Sequence, residues 1–243
     1  MNPFDLPLLA ALVDHVATAL LHLADAIDPF AGPASAALAI VLATALVRAC
    51  LLPLAVAQAR AERDRRRLAP RVSRLREQYR DRPERLQEEL RDLYAAERVS
   101  PAAGCLPMLA QAPVLSFAYA TLVLPTIAGH QNVILAATAF GVPLGESFAA
   151  SAVASALSPT LVVVTLVLVA IAIVAGELSR RAFAPGDTAG VPAWARRSTG
   201  ALQFLTAAIV PFVPLAAGVY LATTVTWTLG QRLVLQRAFA LRA

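Results

Sequence analysis

Along this chain the apolar positions come in long blocks, divided by one charged stretch and a few segments rich in proline, glycine and serine. Residues 161–178, LVVVTLVLVAIAIVAGEL, carry one charged side chain, and about 20 such residues in a helix cross about 30 Å of hydrocarbon. The pattern predicts a transmembrane helix there. The same reading places spans at about 34–57, at about 101–127, from about Gly200 with interruptions at Pro211 and Pro214, and at about 215–230. These five make one domain, residues 34–243.

The block ahead of them, residues 6–27, is long enough to span but is interrupted. Asp14, Thr18, His22 and Asp25 recur at helical spacing, so the polar groups share one face and the helix is expected to lie in a membrane interface. A cleaved signal peptide competes with this reading, but the basic stretch that should begin one is missing. His15 and His22 read as polar groups reaching towards headgroups. DPFAGP, residues 28–33, is expected to break the helix, which makes 1–33 a separate N-terminal element.

Residues 58–98 hold a different period. Leu68, Val72, Leu75 and Tyr79, then Leu86, Leu90 and Leu93, are spaced three and four apart within otherwise charged sequence. Two narrow seams predict two helices folded back as an antiparallel hairpin around Asp81–Pro83, with Pro83 in the first turn of the second, where its missing N–H costs nothing. Residues 128–158 mix the weakly apolar NVILAATAF with the turn-rich GVPLGES and are expected to form an outer loop with an interfacial segment.

Composition agrees with a membrane setting. The chain of 243 residues is 58% apolar, with a mean hydropathy of +0.64. All 21 basic residues are arginine, for a net charge of +5. Thirteen of them fall in residues 58–98 beside nine acids, a mixture that dilutes any field for nucleic acid. The others cluster mainly at 180–197 and 232–242. Basic loops stay cytoplasmic, so the distribution predicts an N-terminus outside, a cytoplasmic hairpin and a C-terminus inside. Cys50 and Cys105 have no paired spacing and suggest neither a disulfide nor a zinc site.

No catalytic triad, phosphate loop, paired carboxylates or metal-ligand spacing is present, so neither an enzyme nor a bound cofactor is expected. What stands out is Arg48, inside TALVRACLLP. An arginine near the middle of a span costs roughly 2.5–3.5 kcal/mol on insertion scales and usually faces a bundle interior or a wet cavity. One reading satisfies it structurally, with backbone carbonyls or Gln111; the other makes it part of a functional groove. Thr44 precedes it by one helical step and shares its side. Gln111 in the second span and Thr223, Thr224, Thr226 and Thr228 in the fifth are candidates to line the same polar space. No acid within a span neutralises Arg48, so such a cavity should attract an acidic group from another molecule and admit water.

The ordered set TALVRACLLPLAVAQ, a charged hairpin ending LYAAERVSP, and GCLPMLAQAPVLSFAY resembles the YidC-type membrane protein insertases, relatives of the Oxa and Alb proteins. The resemblance covers the chain from the first span to the end of the fifth. It implies an all-α, five-span core with a groove open to cytoplasm and lipid, the groove arginine at Arg48, its threonine at Thr44, and Gln111 within LAQAP. Of the two adjacent aromatics common in the last span only Tyr220 carries over, since Leu221 follows it. The implied partners are nascent membrane proteins and the lipid bilayer, with the ribosome and the Sec translocon beside them, in a plasma membrane. The sequence shows neither a long basic tail nor a large outer domain, so the compact Gram-positive type is expected, without tail-mediated ribosome binding. The rival function is a small transporter or channel with Arg48 as an anion site. It predicts inverted repeats or charges on several spans, which the sequence does not display.

Overall fold

A computed structural model describes residues 7–99, 106–127, 130–183 and 204–240. Cys105, Arg196, Arg197, Arg242 and the beginning of the expected fourth span lie outside the described residues. The element order is α1 (Pro7–Ala31), α2 (Ser35–Cys50), α3 (Leu52–Gln78), α4 (Pro83–Ala96), α5 (Leu106–Val123), a loop region, α8 (Pro159–Ala182), α9 (Leu205–Ile209) and α10 (Leu215–Ala240). The loop region holds two short helices, α6 (Val133–Ala136) and α7 (Phe148–Val153), and two antiparallel pairs of two-residue strands. The chain is thus mostly helical, and these strands are an addition to the expected all-α fold. Two helical stretches, 7–50 and Pro159–Ala182, are long and apolar enough to cross a membrane.

The outer faces of the helices are apolar. Leu38, Leu42 and Leu46 form an exposed stripe on α2, and Val163, Leu166, Val167 and Val174 do so on α8. Contiguous surface of this kind is not stable in water and belongs in hydrocarbon. Where the helices meet, their contacts are small: Ala10, Val13, Ala17, Leu20 and Ala24 on α1, Ala36 and Ala39 on α2, Ala172 and Ala175 on α8. Lipid tails are as apolar as leucine, so close van der Waals packing between small residues has to hold such helices together. α10 is central and packs on α2 and α8 and more lightly on α5. Gly218 on α10 meets α8 so closely that a Cβ placed there would lie 3.2 Å from Leu168 Cδ1.

α1 lies against α2, α5 and α6. Its buried stripe faces them, while Thr18, His22 and Asp25 stay exposed. The break expected from DPFAGP falls inside that segment. The helix passes through Pro29 and ends at Ala31, because the turn is made at Gly32, whose φ of +50° suits a residue without Cβ.

α3 and α4 pack on each other. Leu68 is buried, Tyr79 Oη donates to Glu89 at 3.3 Å, and Arg67 and Arg71 both bind Glu97 at the far end of α4. Pro83 begins α4, as its position in the sequence predicts.

The loop between α5 and α8 closes one end of the bundle with hydrogen bonds. Helix ends leave backbone groups without partners, and where water is scarce something else must supply them. Asn132 Nδ2 reaches the carbonyls of Thr121 and Leu124 at the end of α5, while its Oδ1 caps α6 by accepting from Ile134 N. The first amides of α10, at Leu215 and Ala216, donate to Glu146 and Leu144 of the loop. Phe140 N donates to Pro33 O at 2.7 Å, and His130 Nε2 lies 3.1 Å from Asp14 Oδ2 on α1. Phe140 and Gly141, both at positive φ, make the tight turn this hairpin needs.

Candidate functional site

α2 ends just beyond Arg48. Leu51 takes φ −87° and ψ 3°, Pro53 lies in the first turn of α3, and the chain continues as helix after this local break. Arg48 therefore occupies the last turn of α2, where the helix dipole favours a cation. It is half-buried, and among the described residues it has no hydrogen-bond or ion-pair partner. Thr44, one step earlier, is buried, and its hydroxyl donates at 2.6 Å to the Ile40 carbonyl of its own helix.

The remaining sequence candidates fall on α5 and α10. Gln111 is half-buried on α5, with no hydrogen bond to another described residue. Tyr220 packs against the main core, and Thr224, one step on, holds a buried Oγ1 without a hydrogen-bond partner among the described residues. α10 touches both α2 and α5, whereas α2 and α5 make no broad contact with each other. The five candidates thus lie on three neighbouring helices, but no hydrogen bond links one to another.

A second feature was missed by sequence reasoning. A cavity of about 720 Å³ lies between α2, α8 and α10, lined among others by Val41, Ala45, Leu168, Thr223, Trp227 and Gln231. Arg48, Thr44, Gln111, Tyr220 and Thr224 do not line it. Thr223 and Thr226 do, but their hydroxyls donate to the carbonyls of Val219 and Ala222, so the wall they make is effectively apolar. Ala45 on α2 and Ala222 and Gly230 on α10 leave this space open opposite Leu168 and Ile171 of α8. Asn132 was missed too, although an asparagine immediately before VILA is a recognisable helix cap.

Arginines gather at the end of the bundle away from the sealing loop. Arg180 and Arg181 both bind Glu177 in the last turns of α8, and Arg232 of α10 stacks over the Phe183 ring at 5.5 Å to its centroid. Among the described residues no group of three or more histidine, cysteine or acidic side chains is arranged to hold a metal.

Apolar-faced helices, sealed at one end by a hydrogen-bonded loop and edged with arginine at the other, define an integral membrane protein of the helical class. The chain belongs to the YidC/Oxa family: the family described as 60Kd inner membrane protein matches residues 27–242. It is 47% identical over 81 residues to the membrane protein insertase YidC of Granulibacter bethesdensis, a stretch covering 33% of this chain and 14% of that protein. Against the membrane protein insertase YidC of Clostridium perfringens it is 38% identical over 93 residues, covering 38% of this chain and 39% of the relative. The Zymomonas mobilis protein of the same name is 40% identical over 98 residues, or 40% and 17% of the two chains. The matched segments thus span well under half of these relatives.

Proposed function

We propose that the chain is a membrane protein insertase, in which a polar groove centred on Arg48 receives the hydrophilic tail of a client while the client's apolar segment moves along α2, α8 and α10 into lipid. The observation that carries this reading is a half-buried guanidinium without a partner among the described residues. A charge left uncompensated in low dielectric attracts an opposite charge from outside, and the tails that most need help in losing their water are acidic. α10, which carries Tyr220 and Thr224, touches both α2 and α5 while those two make no broad contact, and this supports a groove between them with Thr44 and Gln111 on its flanks. Burying about 20 apolar residues supplies the driving force, so no nucleotide is consumed.

In this reading the core has five spans, α1 lies in the outer interface, the N-terminus is outside, the C-terminus is cytoplasmic, and the α3–α4 hairpin is a cytoplasmic arm for partners such as the ribosome or the Sec translocon. Single-cysteine labelling should place residues near 80 and near 145 on opposite sides.

The test of the groove uses two clients that differ only in tail charge, inserted into vesicles and scored by protease protection. Arg48→Lys keeps the charge and should retain most insertion; Arg48→Ala should lose the acidic-tailed client and spare the neutral one. Equal loss of both would mean that Arg48 holds the bundle together and does not receive clients.

A further inference from the structure

The cavity between α2, α8 and α10 is a long groove. Its lining on α10 runs from Val219 to Leu235, about 24 Å at the helical rise of about 1.5 Å per residue. About 720 Å³ drawn out over that length is much longer than it is wide, a shape that suits an extended hydrocarbon chain.

The two ends of the slot differ. Towards Val219 the walls are Val41, Leu168 and Ala222, all apolar. Towards the arginine-rich end they include Trp227 and Gln231. Trp227 Nε1 donates to Gln231 Oε1 at 3.2 Å, which orients the Gln231 amide and leaves its NH₂ group without a partner among the described residues. Arg232 follows directly, and Arg180, Arg181 and Arg237 complete that end of α8 and α10. Among the described residues of these two helix ends, four arginines accompany one acid, Glu177, which binds Arg180 and Arg181. A long apolar groove that ends at a free amide donor, beside helix ends rich in arginine, matches a lipid tail joined to an anionic headgroup.

We propose that this slot holds one acyl chain of an anionic phospholipid, with the phosphate met by the Gln231 amide and the arginines of that end. The lipid is then a resident part of the α2–α8–α10 contact, filling space that the small residues leave open. Its binding does not depend on client insertion.

Trp227 makes the proposal measurable. In a Trp194→Phe background it is the only tryptophan of the chain, and bromine on an acyl chain quenches its fluorescence on contact. The full chain is reconstituted in vesicles containing increasing fractions of brominated phosphatidylglycerol or brominated phosphatidylcholine. The anionic lipid should reach half-quenching at a mole fraction about fivefold lower, the ratio given by about one arginine near a charged surface. Arg232→Gln should shrink that ratio while leaving quenching itself intact. Ala45→Leu, and more strongly Ala45→Phe, should fill the slot and weaken quenching by both lipids. Equal half-quenching by the two lipids in the parent overturns the proposal, as does a Trp227 that neither lipid quenches, which is the behaviour of a slot reserved for a client segment. Quenching unchanged in both Ala45 variants, with helical content retained, overturns it as well; should Ala45→Phe fail to fold, Ala45→Leu decides. Arg48→Ala should not move the quenching ratio, so the lipid site and the client groove fail separately.

Discussion

The side-chain amide of Asn132 donates at 2.8 Å to the backbone carbonyl of Thr121, from a loop to the closing turn of the helix before it. The same nitrogen reaches Leu124, and the same side chain caps α6, so one buried residue satisfies backbone groups on two helices. Asn132→Ala should cost about 2–4 kcal/mol, because two carbonyls lose their donor and one cap is lost. Asn132→Asp should cost more, since its carboxylate would face those carbonyls. Thermal unfolding in detergent should rank parent above alanine above aspartate.

Gly218 sets the distance between α10 and α8. A Cβ there would stand 3.2 Å from Leu168 Cδ1 and 3.7 Å from Val210 Cγ1. Gly218→Ala should be tolerated by a small shift of the leucine, while Gly218→Leu should destabilise by about 1–3 kcal/mol through overpacking. Gly218→Leu with Leu168→Ala should recover part of the loss. A double-mutant cycle by denaturant or heat shows whether the two positions couple.

Thr224 gives an opposite expectation. Its Oγ1 is buried without a hydrogen-bond partner among the described residues, so Thr224→Val, which swaps the hydroxyl for a methyl of similar size, should leave stability unchanged or raise it by about 1 kcal/mol. Insertion of acidic-tailed clients should fall if this hydroxyl holds water in the groove. A stability loss would show that the hydroxyl has a partner in the bilayer.

Glu97 ties the root of the hairpin to Arg67 and Arg71. Exposed ion pairs contribute up to about 1 kcal/mol and weaken with salt. Glu97→Gln should therefore leave the unfolding temperature nearly unchanged. It should nevertheless broaden the distance distribution between spin labels at residues 74 and 87, in a background lacking Cys50 and Cys105, and high salt should reproduce that broadening in the parent.

What could be read from the sequence follows the range of the forces involved. Apolar blocks and the seams of Leu68 and Leu90 are local and periodic, so helices and their approximate ends were visible. Arg48 was visible because its cost is borne by one residue against its own neighbours. The bonds of Phe140 to Pro33 and of Leu215 to Glu146 join backbone groups far apart in sequence, and a backbone carbonyl carries no side-chain signature. The break within DPFAGP was legible because its proline and glycine are local signals, and Gly32 is the residue that turns the chain. The cavity was invisible because it is made by the alignment of Ala45 on α2 with Ala222 and Gly230 on α10, which depends on the rotation of the helices.

Thr44, Thr223, Thr226 and Thr228 all spend their hydroxyls on carbonyls of their own helices, one turn back. Thr223 and Thr226 bring this to the cavity between α2, α8 and α10, where the wall is polar in composition yet has few directional bonds to offer a chain lying against it. It cannot distinguish serine from asparagine, or one register from the next, because recognition of that kind needs a donor or acceptor held in a fixed direction. What it can sense is how readily a segment gives up its water, and friction stays low because no bond has to be broken at each step. Tolerance towards different apolar chains would then be a property of the lining itself, arising from hydroxyls that are already occupied.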